Sequence, residues 1–198
     1  VGAAEAPVQA EIMEGYIAIG ALATDKGLRA LDGLQDNQMP DLRRACRPFG
    51  DNCGFTMAES AQTVILMDDE LALSLGAPLL AAVPDVFVHA DGAKQSITGP
   101  GVGNYITMAR ATATVRAIVG EVRLSRGGMV QAHGTGTPQN RVTESEILNR
   151  VAGAFGITDW PVVAIKSFIG HSLGAASGDQ LSAALGIWET GLLPAINT

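Results

Sequence analysis

The chain has 198 residues, of which 47% are apolar and 17% charged, and it carries a net charge of −7 at pH 7. This length supports one or two domains with a buried core, and the composition excludes an intrinsically disordered chain. The negative charge disfavours a nucleic-acid partner. No apolar run approaches the roughly 20 residues that cross a bilayer, so we expect no membrane partner either.

Hydrophobic periodicity and turn residues predict alternating strands and helices. The predicted strands lie at 1–6, which we expect to be buried, and at 63–67, 79–89, 129–132 and 162–165. The predicted helices lie from about residue 7, at 27–34, 68–75, 104–119 and 178–190, and after a capping box at 143–146. Residues 92–103 form a predicted loop, whose glycines lack the spacing of a phosphate-binding fingerprint. The alternation of strands with helices indicates an α/β protein.

The two cysteines, Cys46 and Cys53, have no companion ligands at the spacing that a zinc site requires. We therefore expect two reduced thiols and no metal site. Reduced thiols are typical of the cytoplasm, which is the location we expect for this protein.

His133 follows a predicted strand in the segment Ala-His-Gly-Thr-Gly-Thr-Pro. Glycines beside a histidine allow a ligand to approach the backbone closely, and the hydroxyls of Thr135 and Thr137 can bind polar groups. A histidine that only satisfies a tight turn is the alternative. The glycine- and threonine-rich loop favours a functional histidine.

Lys166 and His171 follow another predicted strand, in the segment Lys-Ser-Phe-Ile-Gly-His-Ser-Leu-Gly-Ala-Ala. Sites of α/β proteins gather at strand ends, so the two loops are expected to converge on one pocket. A structural ion pair is the other interpretation of Lys166, and Glu144 is its candidate partner. His89 has no such neighbours and is expected to be structural.

These histidine segments resemble those of the β-ketoacyl-ACP synthases, the condensing enzymes of the thiolase superfamily. Other segments resemble the same family in the same order: 1–6, Arg47-Pro48-Phe49, Gly54-Phe55 and Ala58-Glu59-Ser60-Ala61. The resemblance thus extends over essentially the whole chain.

The resemblance implies a thiolase-like five-layer αβαβα fold and a Cys-His-His site that condenses an acyl thioester with malonyl-ACP. His133 and His171 match the two family histidines, which stabilise the malonyl-derived carbanion or oxyanion. Lys166 matches the family lysine, which organises the site together with the glutamate matched by Glu144. The positions implied to bind substrate are Thr135 and Thr137, for the phosphopantetheine arm, and Phe55, for the acyl chain. No cofactor beyond that arm is implied.

The chain also departs from the family pattern. The resemblance places the nucleophilic cysteine upstream of residue 1 and a glycine-rich motif beyond residue 198, so we expect a piece of a longer enzyme. Residues 1–62 are predicted to end the first thiolase-like half, with connecting loops, and residues 63–198 to form most of the second. Gln180 stands where the family often has a glutamate near a cation, Gln131 replaces an asparagine and Ser60 replaces a glycine.

The expected partners are acyl carrier protein, the complementary cysteine-bearing segment of the same enzyme and a second copy in a homodimer. Three alternatives stay open at this point. The chain could belong to a non-catalytic, chain-length-factor-like partner subunit, to a polyketide ketosynthase, or to a thiolase. The retained His133, Lys166 and His171 disfavour the partner subunit, because unused polar groups in a pocket carry a desolvation cost. The two-histidine pattern disfavours a thiolase.

Overall fold

The computed structural model describes residues 1–92 and 101–196. Its strands are β1 (Gly2–Glu5), β2 (Ser60–Thr63), β3 (Val130–Gln131) and β4 (Val162–Val163). Its α-helices are α1 (Ala10–Ala18), α2 (Asp25–Asp32), α3 (Asp69–Ser74), α4 (Val102–Val119), α5 (Glu121–Gly127), α6 (Pro138–Ala154), α7 (Lys166–Ile169) and α8 (Ala176–Thr190). Two short 3-10 helices lie at Leu42–Arg44 and Leu173–Ala175.

The strands β1 and β2 form an antiparallel ribbon, in register from Gly2 opposite Thr63 to Glu5 opposite Ser60. Alternate residues of both strands are exposed, because successive side chains of a strand point to opposite faces. The expected burial of the strand at 1–6 is therefore wrong, although the strand itself is present. The less exposed face contacts α8 and the 3-10 helix Leu173–Ala175.

The strands β3 and β4 are parallel, with Val130 opposite Val162 and Gln131 opposite Val163. The ladder continues one residue further, where the Ala132 amide donates to the Val163 carbonyl at 2.8 Å. Val163 and Ala164 belong to the core, with 2% and 1% of their surfaces exposed. The carboxyl ends of this pair lead directly to His133 and Lys166, as the sequence predicted.

The helix α6 begins earlier than its predicted capping box. Thr137 is the N-cap, its Oγ1 accepts from the Asn140 amide at 3.4 Å, and Pro138 occupies the first turn. Proline at the first helical position needs no hydrogen-bond donor and has a helical φ, so the helix starts there. The capping box at 143–146 is therefore wrong, and Thr143 lies inside the helix with 6% of its surface exposed.

Other predicted elements differ in extent. The strand predicted at 63–67 is shifted towards the N-terminus, because β2 covers Ser60–Thr63 and ends where the predicted strand begins. Residues 79–89 form no strand, since Pro78 and Pro84 interrupt the segment and no strand pairs with it among the described residues. The helix predicted from residue 104 starts at Val102, and the Asn104 side chain donates to Asp91 at 3.1 Å instead of capping the helix. The loop predicted at 92–103 lies mostly outside the described residues.

The helices predicted at 27–34, 68–75 and 178–190 are confirmed as α2, α3 and α8. The predicted boundary at residue 62 falls inside β2, and the division into 1–62 and 63–198 stays a prediction. Within the two described stretches, no helix combines the length and apolar character needed to cross a bilayer.

Candidate active site

His133 occupies the loop that connects β3 to α6, and its backbone is held from both sides. The His133 and Gly134 amides donate to the two carboxylate oxygens of Glu144, at 2.5 and 2.7 Å. The Lys166 ammonium donates to the His133 carbonyl at 2.6 Å. Sequence reasoning proposed a direct pair between Lys166 and Glu144, but in the described structure no such ion pair forms. The two side chains instead meet through the backbone of His133.

The end of β3 is fixed by α8. The Gln180 side-chain amide donates to the Gln131 carbonyl at 3.2 Å and also to the Ala132 carbonyl. These bonds give a structural role to Gln180, the glutamine found where the family often has a glutamate. A glutamate at this position would carry no N–H for the two carbonyls.

His171 faces His133, and its backbone is also bonded in both directions. Its amide donates to the Thr56 carbonyl at 2.7 Å, and its carbonyl accepts from the Ala58 amide at 3.1 Å. Its ring nitrogen Nδ1 accepts from the Leu173 amide at 3.1 Å. A ring with Nδ1 as the acceptor carries its proton on Nε2 when it is neutral, so Nε2–H is the free donor.

The two imidazoles face each other edge to face, with ring centroids 5.3 Å apart and an interplanar angle of 85°. Phe55 packs against His171 at 5.1 Å, and Tyr16 packs against Phe55 at 5.4 Å. Phe55 is 5% exposed and therefore forms an apolar wall beside the histidine. The structure thus brings together four elements that are distant in sequence: α1, the segment before β2, the β3–α6 loop and the segment after α7.

The site favours neutral histidines. Burial lowers the pKa of His171 from 6.5 to about 4, and the charge of Lys166 adds to the effect. The pKa of His133 is likewise lowered to about 4, by burial and then by Lys166, although the residue as a whole is exposed in this chain. Lys166 is 2% exposed, and burial lowers its pKa while the nearby Glu144 charge opposes that shift. At pH 7 both rings are therefore uncharged and each has one N–H to donate.

The threonine hydroxyls beside His133 already have structural partners. Thr135 Oγ1 lies 3.0 Å from Thr137 Oγ1, which also caps α6, and the Thr135 amide donates to Asn140 Oδ1 at 2.9 Å. Each hydroxyl has further hydrogen-bonding capacity, so these contacts leave room for a ligand. The assignment of Thr135 and Thr137 to substrate binding stays a prediction.

The glycines of this loop are needed for its close packing. Gly136 has φ +82°, and a Cβ there would lie 2.9 Å from the Gly54 carbonyl oxygen. The Gly54 amide in turn donates to the Gly136 carbonyl at 3.1 Å. The loop before β2, which contains Phe55, therefore lies directly against the His133 loop.

Neither cysteine has the environment of a nucleophile. Cys46 is 3% exposed, and its thiol donates to the Thr135 carbonyl at 3.6 Å beneath the His133 loop. Burial raises the pKa of both Cys46 and Cys53, which favours the protonated and unreactive thiol. In the part of the chain that the structure covers, no three His, Cys, Asp or Glu side chains cluster as a metal site.

Sequence reasoning missed several residues that shape this site. Asn140 and Leu173 act through loop contacts that no periodic pattern reveals. Gln180 was singled out only as a replacement near a cation, and its bonds to the end of β3 were not predicted. The contact of Tyr16 with Phe55 depends on the tertiary fold. The N-cap role of Thr137 had a visible signal, namely the proline that follows it.

Comparisons with known proteins show the family and the fold of this chain. The profile "Beta-ketoacyl synthase, C-terminal domain" matches residues 80–197. The β-ketoacyl-[acyl-carrier-protein] synthase FabY of Pseudomonas aeruginosa is 59% identical over 198 residues, which are 100% of this chain and 31% of FabY. The crystal structure of FabY, described as a noncanonical ketosynthase, matches with a TM-score of 0.93 over 99% of this chain and 30% of that chain.

Two more distant matches carry other names. Erythronolide synthase EryA3 of Saccharopolyspora erythraea is 36% identical over 137 residues, covering 66% of this chain and 4% of that protein. The ishigamide ketosynthase/chain length factor is 27% identical, with a TM-score of 0.64 over 98% of this chain and 41% of that chain.

The α/β fold, with its two histidine loops at strand ends, is that of the thiolase-like ketosynthases. The described residues supply two two-stranded sheets of such a fold. The chain belongs to the β-ketoacyl synthase family, and it spans about a third of the length of its relative FabY.

Proposed function

We propose that this chain is the histidine-bearing part of a β-ketoacyl-ACP synthase that performs a decarboxylative Claisen condensation in fatty acid synthesis. The observation that carries the proposal is the pair of neutral imidazoles, 5.3 Å apart, on backbones fixed from both sides. The 59% identity to FabY, whose name states the same activity, supports it.

In the proposed reaction, an acyl group is held as a thioester on a cysteine outside this chain. The malonyl group of malonyl-ACP loses CO₂, and the electrons of the broken C–C bond form an enolate. The Nε2–H of His171 and an N–H of His133 donate to the enolate oxygen, as oxyanion donors do. The enolate carbon then attacks the thioester carbonyl, the new C–C bond forms, and the cysteine thiolate leaves.

The other residues support these two donors. Lys166 and Glu144 position the His133 loop through its carbonyl and its amides. Neutral rings suit the task, because a protonated imidazole would transfer its proton rather than share it. In the same proposal, Thr135 and Thr137 bind the phosphopantetheine arm and Phe55 lines the acyl channel.

The proposed partners are acyl carrier protein, the cysteine-bearing segment of the same enzyme and a second copy of the enzyme, in the cytoplasm. Large apolar side chains such as Ile65 and Val88 are 78% and 87% exposed in this chain. Isolated apolar side chains are common on surfaces, but many together favour burial against further protein. This observation supports a role within a larger enzyme.

The test is the release of CO₂ from malonyl-ACP by the full-length protein carrying His133→Ala or His171→Ala. Removing one oxyanion donor costs about 100- to 1,000-fold in rate, so each variant should lose at least that much. Acylation of the cysteine, followed by mass spectrometry, should survive. His89→Ala removes the third histidine of the chain and is the matched control. Wild-type decarboxylation by either site variant would overturn the proposal.

A further inference from the structure

A partly buried carboxylate lies behind His171 and takes no direct part in the proposed reaction. Asp179 stands in the first turn of α8, and its Oδ1 accepts from Ser60 Oγ at 2.6 Å and from the Gln62 side-chain amide. Its Oδ2 accepts from Ser172 Oγ. We call Asp179 with its partners Ser60, Gln62 and Ser172 the Asp179 node. One carboxylate thus gathers three donors from two separate segments.

The node is connected to the backbone of His171 on both sides. Ser172 follows His171 in sequence and is only 1% exposed. On the other side, His171 bonds to the backbone of Thr56 and Ala58, and Ser60 lies two residues further along that segment. Asp179 therefore completes a closed circuit of contacts around the histidine. His171 hydrogen-bonds to the backbone at 56–58, and that segment continues to Ser60. Ser60 and Ser172 both donate to Asp179, and Ser172 is the neighbour of His171 in the chain.

Leu173 connects this ring to the imidazole. Its amide donates to His171 Nδ1 at 3.1 Å, and its φ is +48°, the only positive value at a non-glycine residue in the described part of the chain. Such a conformation is strained for a residue with a Cβ and persists only where the surroundings impose it. Ser172, held by Asp179, is the neighbouring residue that can impose it.

A carboxylate suits this task better than other side chains. Its two oxygens accept all three donors of the node, whereas an amide has one accepting oxygen and would have to donate to Ser172. A negative charge in the first turn of a helix is also stabilised by the helix dipole. These arguments explain an aspartate at this position, and the Leu173 contact ties it to the orientation of the ring.

We infer that Asp179 is a positioning residue for the condensation, one that holds Ser172 and Leu173 so that His171 keeps Nδ1 as acceptor and presents Nε2–H to the substrate. The inference deepens the proposed function and rests on it. Without the Asp179–Ser172 bond, Leu173 relaxes from its strained conformation and its amide leaves Nδ1. The ring then loses its fixed tautomer and orientation.

The test compares Asp179→Ala, Asp179→Asn and Ser172→Ala in the full-length protein, with Glu189→Ala on the same helix as a charge-matched control. Misplacing a reacting group by about 1 Å costs up to about 100-fold, so Asp179→Ala and Ser172→Ala should lower malonyl decarboxylation by at least about tenfold. Cysteine acylation should stay within about twofold of the wild type, because it does not need an oriented His171 donor. The amide of Asp179→Asn can accept from Ser60 and Gln62 through its oxygen and donate to the Ser172 hydroxyl through its nitrogen. This variant should therefore retain most of the wild-type decarboxylation rate. Ser172→Ala keeps the Asp179 bonds to β2 and provides the test if Asp179→Ala does not fold.

A second readout does not depend on turnover. Nitrogen-15 NMR of the histidines should show wild-type His171 with the proton on Nε2, and a mixture of tautomers in Asp179→Ala and Ser172→Ala. An unchanged tautomer in both variants, or an equal loss of acylation and decarboxylation, would overturn the inference. If the tautomer changes as expected while the wild type does not decarboxylate malonyl-ACP, the positioning stands and the proposed function fails.

Discussion

Replacing Glu144 tests the support of the His133 loop. Its carboxylate accepts from two backbone amides at 2.5 and 2.7 Å. It also lies close enough to Lys166 for its charge to raise the pKa of that ammonium. Hydrogen bonds to a charged group contribute about 1.5–3 kcal/mol each. His133 is exposed in this chain and its amide can rebind water, so only part of that sum is lost. We expect Glu144→Ala to lower the free energy of unfolding by about 2–4 kcal/mol.

The assay is urea denaturation of the full-length protein, with Glu146→Ala as the matched control. Glu146 lies on the same helix but pairs with Arg150 on the surface, a contact that contributes at most about 1 kcal/mol. Glu144→Gln retains the shape of the side chain but aims an N–H at a backbone donor, so its cost should resemble that of alanine. A loss of unfolding free energy in Glu144→Ala no larger than that in Glu146→Ala would show that the two amide contacts do not stabilise the His133 loop.

Three further predictions concern stability. The pKa of His171 is lowered to about 4 in the folded protein, so the unfolded chain binds the proton first as pH falls below 6.5. Unfolding free energy should therefore decrease between pH 6.5 and 4, by at most about 1.4 kcal/mol per pH unit from this residue, and less steeply in His171→Gln. Gly136 has φ +82°, and the Cβ of Gly136→Ala would lie 2.9 Å from the Gly54 carbonyl oxygen. This variant should lower the unfolding free energy by at least about 1 kcal/mol, which a lower melting temperature would also report. Gly153→Ala is the control, because Gly153 lies in α6 and no atom lies within 4 Å of the new Cβ. It should raise the unfolding free energy by about 0.5–1 kcal/mol. A decrease as large as that of Gly136→Ala would contradict the prediction. Arg47 is 4% exposed and binds Asp32 through two hydrogen bonds of 2.8 Å. Arg47→Lys should lower the unfolding free energy by about 2 kcal/mol, measured by chemical denaturation. An unchanged denaturation midpoint would count against a stabilising role of the paired contact.

The sequence was most informative where local chemistry decides the structure. The helix at 27–34 has a threonine cap at Thr24 and a left-handed glycine at Gly33, and its prediction is confirmed. The class of the fold was predicted from the alternation of elements and from the resemblance of the two histidine loops. Each loop follows a strand, and the parallel pairing of β3 with β4 brings the two loops together.

The errors arose where tertiary contacts outweighed local pattern. The apolar run at 79–89 resembles a strand, but a strand needs a partner, and prolines remove backbone donors. The Thr-Glu-Ser-Glu sequence has the form of a helix start, yet Glu144 caps the amides of the His133 loop instead. A carboxylate that binds backbone donors distant in sequence leaves no periodic signal. The same holds for Asp179, whose partners lie up to 119 residues away.

The parallel pairing of β3 with β4 also fixes the spacing of the two site loops independently of how long the chain between them is. The distance between the residues that follow the two strands is set by the ladder of Val130 with Val162 and Gln131 with Val163. The connection beyond Glu144, which is the rest of α6 and the turn after it, can therefore change in length or sequence without moving His133 away from Lys166. A family built in this way can vary the surface of this connection while His133 and Lys166 keep their spacing.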